Sequence, residues 1–201
     1  MARAPLAPAD LRRVIDAAFA EHRAVLEAAS AQLPKAVEAA ATLLIAAYRG
    51  GGKALLFGNG GSMTDALHLE GELVGRFAFD RPGLPAVALG GGAAGLTAIA
   101  NDYSYADVFA RLLAAQARPG DVAMGFSTSG NSENVVRALQ RARELGLSTI
   151  AFTGEGGGRC RALADVLLAA PSSHTPRIQE VHILAGHTLC DLVEQALFPP
   201  A

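Results

Sequence analysis

The sequence predicts an α/β fold in which a mainly parallel sheet carries helices on both faces. Five short apolar runs carry that expectation: Lys53–Phe57, Ala86–Leu89, Val122–Phe126, Ser148–Phe152 and Val166–Ala169. They are too short for ordinary helices and lack the polar alternation of a half-solvated sheet, which suits strands buried on both sides. Longer helix-compatible segments separate them, and such a repeat closes most readily through parallel crossovers.

The elements follow in order. Pro8 and Asp10 precede a first helix from about Leu11 to Ser30, where Val14, Phe19 and Leu26 recur at near-helical spacing. Pro34 suits the first turn of a second helix running to about Tyr48, and Gly50-Gly51-Gly52 ends it. These two helices lie outside the repeat and form an extension or a platform for oligomerisation. The crossover segments are Asp65–Phe77, Tyr105–Arg118, Glu133–Leu145 and Arg159–Leu163, with a short turn or helix at Leu96–Asn101. A last helix spans about Arg177 to Ala196 and stops before Pro199. No linker interrupts the pattern, so residues 1–201 read as one domain, with 1–50 as its N-terminal extension. Ligands are expected beyond the carboxyl ends of the strands.

Composition narrows the function. The 201 residues suffice for one hydrophobic core. Seventeen basic and 19 acidic residues give a net charge of −2, with no broad cationic face for nucleic acid. The N-terminus lacks the apolar stretch of a signal peptide, and the run Ala39 to Ala47 is far too short to span a bilayer. A cytoplasmic location without membrane contact is the expectation. Cys160 and Cys190, the only cysteines, cannot build a four-thiolate zinc site; a single disulfide is open to them, and two unpaired thiols are the plainer reading.

Two loops suit a phosphate monoester. The first strand leads into Gly58-Asn59-Gly60-Gly61-Ser62, where close backbone and helix-start amides can face an anion. Asn59 and Ser62 add polar contacts. No lysine follows the glycines, and Ser62 and Met63 occupy the last positions of the dinucleotide pattern, so no nucleotide cofactor is expected. The third strand reaches Ser127-Thr128-Ser129-Gly130-Asn131-Ser132, whose hydroxyls can surround phosphoryl oxygens just before another helix.

Proton-moving groups lie on two helices. Asp65, His68 and Glu72 share one helix side through offsets of three and four residues. Asp65 can orient His68 or bind sugar hydroxyls. Gln179 and His187 on the last helix are eight residues apart, about 12 Å along the axis, and extended side chains can still meet one small ligand. Aldose–ketose isomerisation uses these groups coherently: Glu72 as the C–H base, His187 as the carrier of a proton between oxygens. His68, Glu72, Gln179 and His187 also offer donors to zinc, which can polarise a carbonyl. A metal-free acid–base site stays open, because Glu72 cannot easily bind a metal strongly while acting as a free base.

The segments GNGGSMTDALHLEGELVGRF, AIANDY, GFSTSGNSENV and RIQEVHILAGHTLCDLVE resemble the sugar isomerase (SIS) family, and within it the phosphoheptose isomerase branch. The resemblance implies a doubly wound, five-stranded SIS-type sheet, and a homotetramer with sites near subunit boundaries. It also implies conversion of D-sedoheptulose 7-phosphate to D-glycero-D-manno-heptose 7-phosphate through a cis-enediol. By that resemblance Ser62, Ser127, Thr128, Ser129 and Ser132 fall at phosphate-binding positions. Asn59, Gly60, Gly61 and Asp65 belong to the same substrate site, and Asn101 and Asp102 match an Asn-Asp loop that approaches the sugar. His68, Glu72, Gln179 and His187 match a zinc-site pattern, with Glu72 and His187 also at the acid–base positions. Two departures stand out: Pro176 replaces an acidic residue of some isomerases, and Gly90–Ala94 is smaller and less polar than many family versions. The tail CDLVEQALFPP and the PRIQEVH segment also resemble a noncatalytic branch that binds the bacterial replication initiator. Retention of both Glu72 and His187 favours an enzyme, and an isomerase of another phosphosugar remains the alternative within that class.

Overall fold

The computed structural model describes residues 7–198 of the chain. A 3-10 turn at Pro8–Asp10 leads into α1 (Leu11–Gln32) and α2 (Pro34–Arg49), with proline in the first turn of α2 as expected. The α/β part then runs β1 (Ala54–Gly58), α3 (Gly61–Val74), β2 (Ala86–Ala88), α4 (Ala93–Asp102), α5 (Val108–Gln116), β3 (Val122–Ser127), α6 (Glu133–Glu144), β4 (Ser148–Thr153), β5 (Val166–Ala169) and α7 (Thr175–Leu197). Pro199, the expected stop of the last helix, lies outside the described residues.

The sheet has five strands in the order β2-β1-β3-β4-β5, and every pairing is parallel. Ala54 stands between Ala86 and Val122, and Val122 is in register with Ser148. Alternate residues of each strand feed two separate cores, as the pleat demands. Ala54, Leu56, Met124, Phe126 and Phe152 pack under α2, α3 and α7. Leu55, Phe57, Ala123 and Ala151 pack under α5 and α6. Phe57, Phe109, Phe126 and Phe152 are fully buried, each stabilising the fold by roughly 1.5–3 kcal/mol through area removed from water.

Three boundaries differ from the sequence expectation. Helix α3 starts at Gly61, not Asp65, because the glycine loop itself closes the first turn: the N–H groups of Met63 and Thr64 donate to the Gly60 carbonyl at 2.9 and 3.2 Å. Helix α4 runs from Ala93 through Asp102, so Asn101 and Asp102 end a helix and do not form a loop. The β4–β5 crossover carries only a six-residue 3-10 segment, Gly158–Leu163. Both cysteines are free and buried. No helix among the described residues is long and apolar enough to cross a membrane.

Strand order reverses between β1 and β3. In open parallel sheets the crevice at such a switch point, beyond the carboxyl ends of the strands, is where ligands bind. The two loops leaving β1 and β3 are the glycine- and hydroxyl-rich segments singled out by sequence.

Candidate active site

The loops after β1 and β3 are stitched to each other. Asn59 Nδ2 donates to Asn134 Oδ1 at 2.8 Å, and Asn134 Nδ2 donates back to Asn59 Oδ1 at 2.9 Å. Asn134 is buried at 3% exposure and also accepts from the Val135 N–H. The Tyr105 hydroxyl donates to Asn59 Oδ1 at 2.8 Å. Asn134 and Tyr105 thus hold the Asn59 carboxamide, which ties the two loops together. Asn134 and Tyr105 had no assigned role from sequence. An Asn just inside a helix start, and a Tyr opening the 3-10 turn Tyr105–Asp107, carry no local mark of such a partner.

The hydroxyl loop is preorganised. Ser127 Oγ donates to Ser132 Oγ at 3.0 Å, the Ser132 N–H reaches Ser127 Oγ at 3.4 Å, and the Asn131 N–H donates to Ser129 Oγ at 3.1 Å. Ser127 is buried, Thr128 and Ser132 half-buried, and Ser129 exposed at the mouth. Ser62 is buried in the first turn of α3, while Gly60 and Gly61 are exposed. Helix-start amides of α3 and α6 therefore flank the same edge. Asn101 and Asp102 are exposed at the end of α4, where Asn101 Nδ2 donates to Asp102 Oδ1. They connect to the site through Tyr105, three residues beyond Asp102.

Helices α3 and α7 lie side by side in the same direction. Gly61 opens α3 against the carboxamide of Gln179; a Cβ at Gly61 would come within 2.5 Å of Gln179 Nε2. Further along, Gly186 lets the helices approach closely, since a Cβ there would stand 2.7 Å from the Leu69 side chain. That contact aligns His68 with His187. Their Nε2 atoms are 2.8 Å apart, and Glu72 Oε1 is 3.3 Å from His68 Nε2. The Phe77 ring lies 5.7 Å from the His187 ring, centroid to centroid.

His68, Glu72 and His187 each offer one donor atom within 4.8 Å of the other two. Two imidazole nitrogens at hydrogen-bond distance need either one proton between them or a cation shared by both. Two imidazoles and a carboxylate form the N/O donor set that divalent zinc accepts, so the three residues fit such an ion. Gln179 rests against Gly61, nearer the mouth of the site.

Asp65 occupies the turn above His68, half-buried, with a buried Oδ2 that has no hydrogen-bond partner among the described residues. Burial pushes its carboxyl up to about 6, opposed by the nearby His68. An orphaned buried acceptor is costly while the carboxylate is charged, in keeping with the upward push on this carboxyl.

The other polar groups of α7 go elsewhere. His182 is fully buried between Phe126 and Phe152, with Nε2 2.9 Å from the Thr153 carbonyl. Glu180 accepts from Arg177 Nη2 and stands 2.6 Å from His22 Nδ1, tying α7 to α1.

Residues 19–154 match the family model described as SIS domain. The chain belongs to the SIS domain family. Among its SIS-domain relatives is the phosphoheptose isomerase of Sulfurimonas denitrificans, 50% identical over 156 residues, which cover 78% of this chain and 80% of that protein. The phosphoheptose isomerase of Burkholderia pseudomallei is 53% identical over 154 residues, covering 77% of this chain and 78% of that protein. Among solved SIS-domain structures, a phosphoheptose isomerase from Neisseria gonorrhoeae superposes with a TM-score of 0.88 at 41% identity, covering 92% of this chain and 99% of that one.

Proposed function

We propose that the chain is an aldose–ketose isomerase converting D-sedoheptulose 7-phosphate to D-glycero-D-manno-heptose 7-phosphate. One observation carries the reading: Glu72, His68 and His187 converge from two helices beside two hydroxyl- and glycine-rich loops at a single sheet edge. The heptose is supported by the relatives at 50% and 53% identity, all bearing the name phosphoheptose isomerase.

In this reading Ser62, Ser127, Thr128, Ser129 and Ser132, with the helix-start amides, hold the phosphate. Asp65, Gln179, Asn101 and Asp102 meet the sugar hydroxyls. The opened ketose then presents C1 to Glu72, which removes a proton to give the cis-enediol and returns it at C2. His187 moves a proton between the two oxygens, so the aldehyde forms with no net gain or loss of protons. His68, Glu72, Gln179 and His187 are the side chains that would hold zinc. When bound, zinc supplies polarisation of the carbonyl oxygen.

The proposal takes residues 1–201 as one SIS domain, with 1–50 as its extension, in a cytoplasmic homotetramer whose sites lie near subunit boundaries. Assembly is supported by apolar surface that this chain leaves uncovered. Leu11, Val14, Ile15 and Phe19 of α1 are 44–67% exposed, and α4 has no buried residue. Such patches mark contact surfaces.

The deciding experiment is an isomerisation assay across phosphorylated heptoses, pentoses and hexoses, with and without added zinc. Turnover of sedoheptulose 7-phosphate above the others is expected; inactivity on every sugar overturns the proposal. Mass measurement in solution tests the tetramer separately.

A further inference from the structure

Glu72 and His187 sit on different helices, and something must hold those helices at a set distance. We infer that the buried pair Arg81–Glu194 is the positioning element for both proton-transfer residues; the inference rests on the isomerase reading above. Neither side chain is reachable by solvent: Arg81 is 1% exposed and Glu194 0%. Arg81 Nε donates to Glu194 Oε2 at 2.7 Å.

One arm of the pair reaches Glu72. Arg81 Nη2 donates to the main-chain carbonyl of Glu72 at 2.9 Å, and Nη1 donates to that of Leu73 at 2.8 Å. These are last-turn carbonyls of α3, which have no partner within the helix. A guanidinium there satisfies them and complements the negative end of the helix dipole. The backbone that carries the Glu72 carboxylate is therefore fixed by Arg81.

The other arm reaches His187. Glu194 stands seven residues after His187, on the same face of α7. Its carboxylate accepts three successive N–H groups, from Phe77 at 2.8 Å, Ala78 at 2.7 Å and Phe79 at 3.2 Å. With Arg81, each oxygen accepts two hydrogen bonds. Burial by itself would raise this carboxyl; the N–H groups and the guanidinium outweigh it and hold the group below the usual carboxylate range. The segment so captured begins with Phe77, whose ring lies against the His187 imidazole. Glu194 thereby sets the ring that flanks His187, and Arg81 sets the backbone that bears Glu72.

A buried, fully hydrogen-bonded ion pair adds little net stability over an apolar replacement, but losing one partner is costly. A positioning role makes a different prediction from a stabilising one, because a misplacement of about 1 Å can cost on the order of 100-fold in rate. The phosphate loops hang on β1 and β3, away from the pair, and substrate binding should be spared.

The test compares Arg81→Lys and Glu194→Gln with the unaltered protein, each checked for folding by circular dichroism. In the sedoheptulose 7-phosphate assay, kcat should fall at least about tenfold with KM within about threefold. NMR of the metal-free protein should show His187 ring-proton shifts moving as the Phe77 ring is displaced. Phe77→Leu supplies a second route if the charge variants fail to fold: it leaves the ion pair intact, and should move the same His187 shifts and lower kcat. Variants that lose thermal stability yet keep kcat and the His187 shifts overturn the inference. If the unaltered protein isomerises no sugar, the isomerase reading fails, while the His187 shifts still decide whether the pair positions that ring.

Discussion

His68 and His187 face each other across 2.8 Å between their Nε2 atoms, although 119 residues separate them in the chain. The contact exists because α3 and α7 run alongside one another and Gly186 removes the side chain that would hold them apart. Glu72, one turn beyond His68, completes the group.

Replacing Glu72 with Gln keeps the size of the side chain and removes the proposed base. Turnover should fall by roughly 100-fold or more, the scale of a lost general base. Phosphosugar binding, read by calorimetry, should stay within a few-fold, because the proposed phosphate loops are untouched. Turnover near that of the parent would remove Glu72 from the C–H step.

His187→Ala should weaken both proton transfer between oxygens and zinc affinity. A competition titration against a chromophoric chelator measures the second effect, with a loss of at least about tenfold expected from removing one of the ligands. Equal zinc affinity in the two proteins would show that the ion, if bound, lies elsewhere.

Ser129→Ala and Ser132→Ala should raise KM while leaving kcat nearly unchanged, the signature of lost uniform binding. Ser132 should be the more sensitive position, since its hydroxyl also accepts from Ser127 and organises the loop. A selective fall in kcat would move these residues from phosphate binding to the chemical step.

Acid should expose His182. Burial depresses its pKa from 6.5 to about 4, against the opposing hydrogen bond with Thr153. The folded state therefore refuses a proton that the unfolded chain accepts. Its contribution is full above the unfolded pKa, declines as pH falls below 6.5, and is exhausted near 4. Between pH 7 and 5 that amounts to about 2 kcal/mol. Asp65 works in the opposite direction, because its raised carboxyl binds a proton more readily when folded. Urea unfolding at both pH values should therefore show a steeper acid loss in Asp65→Asn and a shallower one in His182→Gln. Identical slopes in all three proteins would refute the assignment.

The sheet, its parallel sense and the places of the glycine- and hydroxyl-rich loops after β1 and β3 were legible because short apolar runs and glycine clusters are local signals. Helix spacing likewise put His68 and Glu72 on one face. The start of α3 was misplaced by four residues because Gly61 and Ser62 read as loop, and only the carbonyl of Gly60, accepting two N–H groups, pulls them into the helix. The Arg81–Glu194 pair left no trace. Arg81 stands in a Phe-Asp-Arg-Pro-Gly stretch that reads as an exposed turn, and Glu194 reads as a solvated helix residue. They are 113 positions apart, and only the packing of α7 against the end of α3 brings them together. Asn59 and Asn134, 75 positions apart, were hidden for the same reason.

Because α7 is the last element of the described chain, synthesis delivers the glycine- and hydroxyl-rich loops well before it delivers His187. A ribosome-bound chain lacking residues 175–197 would already contain both of those loops and all five described strands, yet lack His187 and the helix that covers one face of the sheet. Val181, Ala185, Leu189 and Val193 of that helix belong to the same core as Phe126 and Phe152, so the apolar face of the sheet closes and His68 meets His187 in one late event, when the final helix docks.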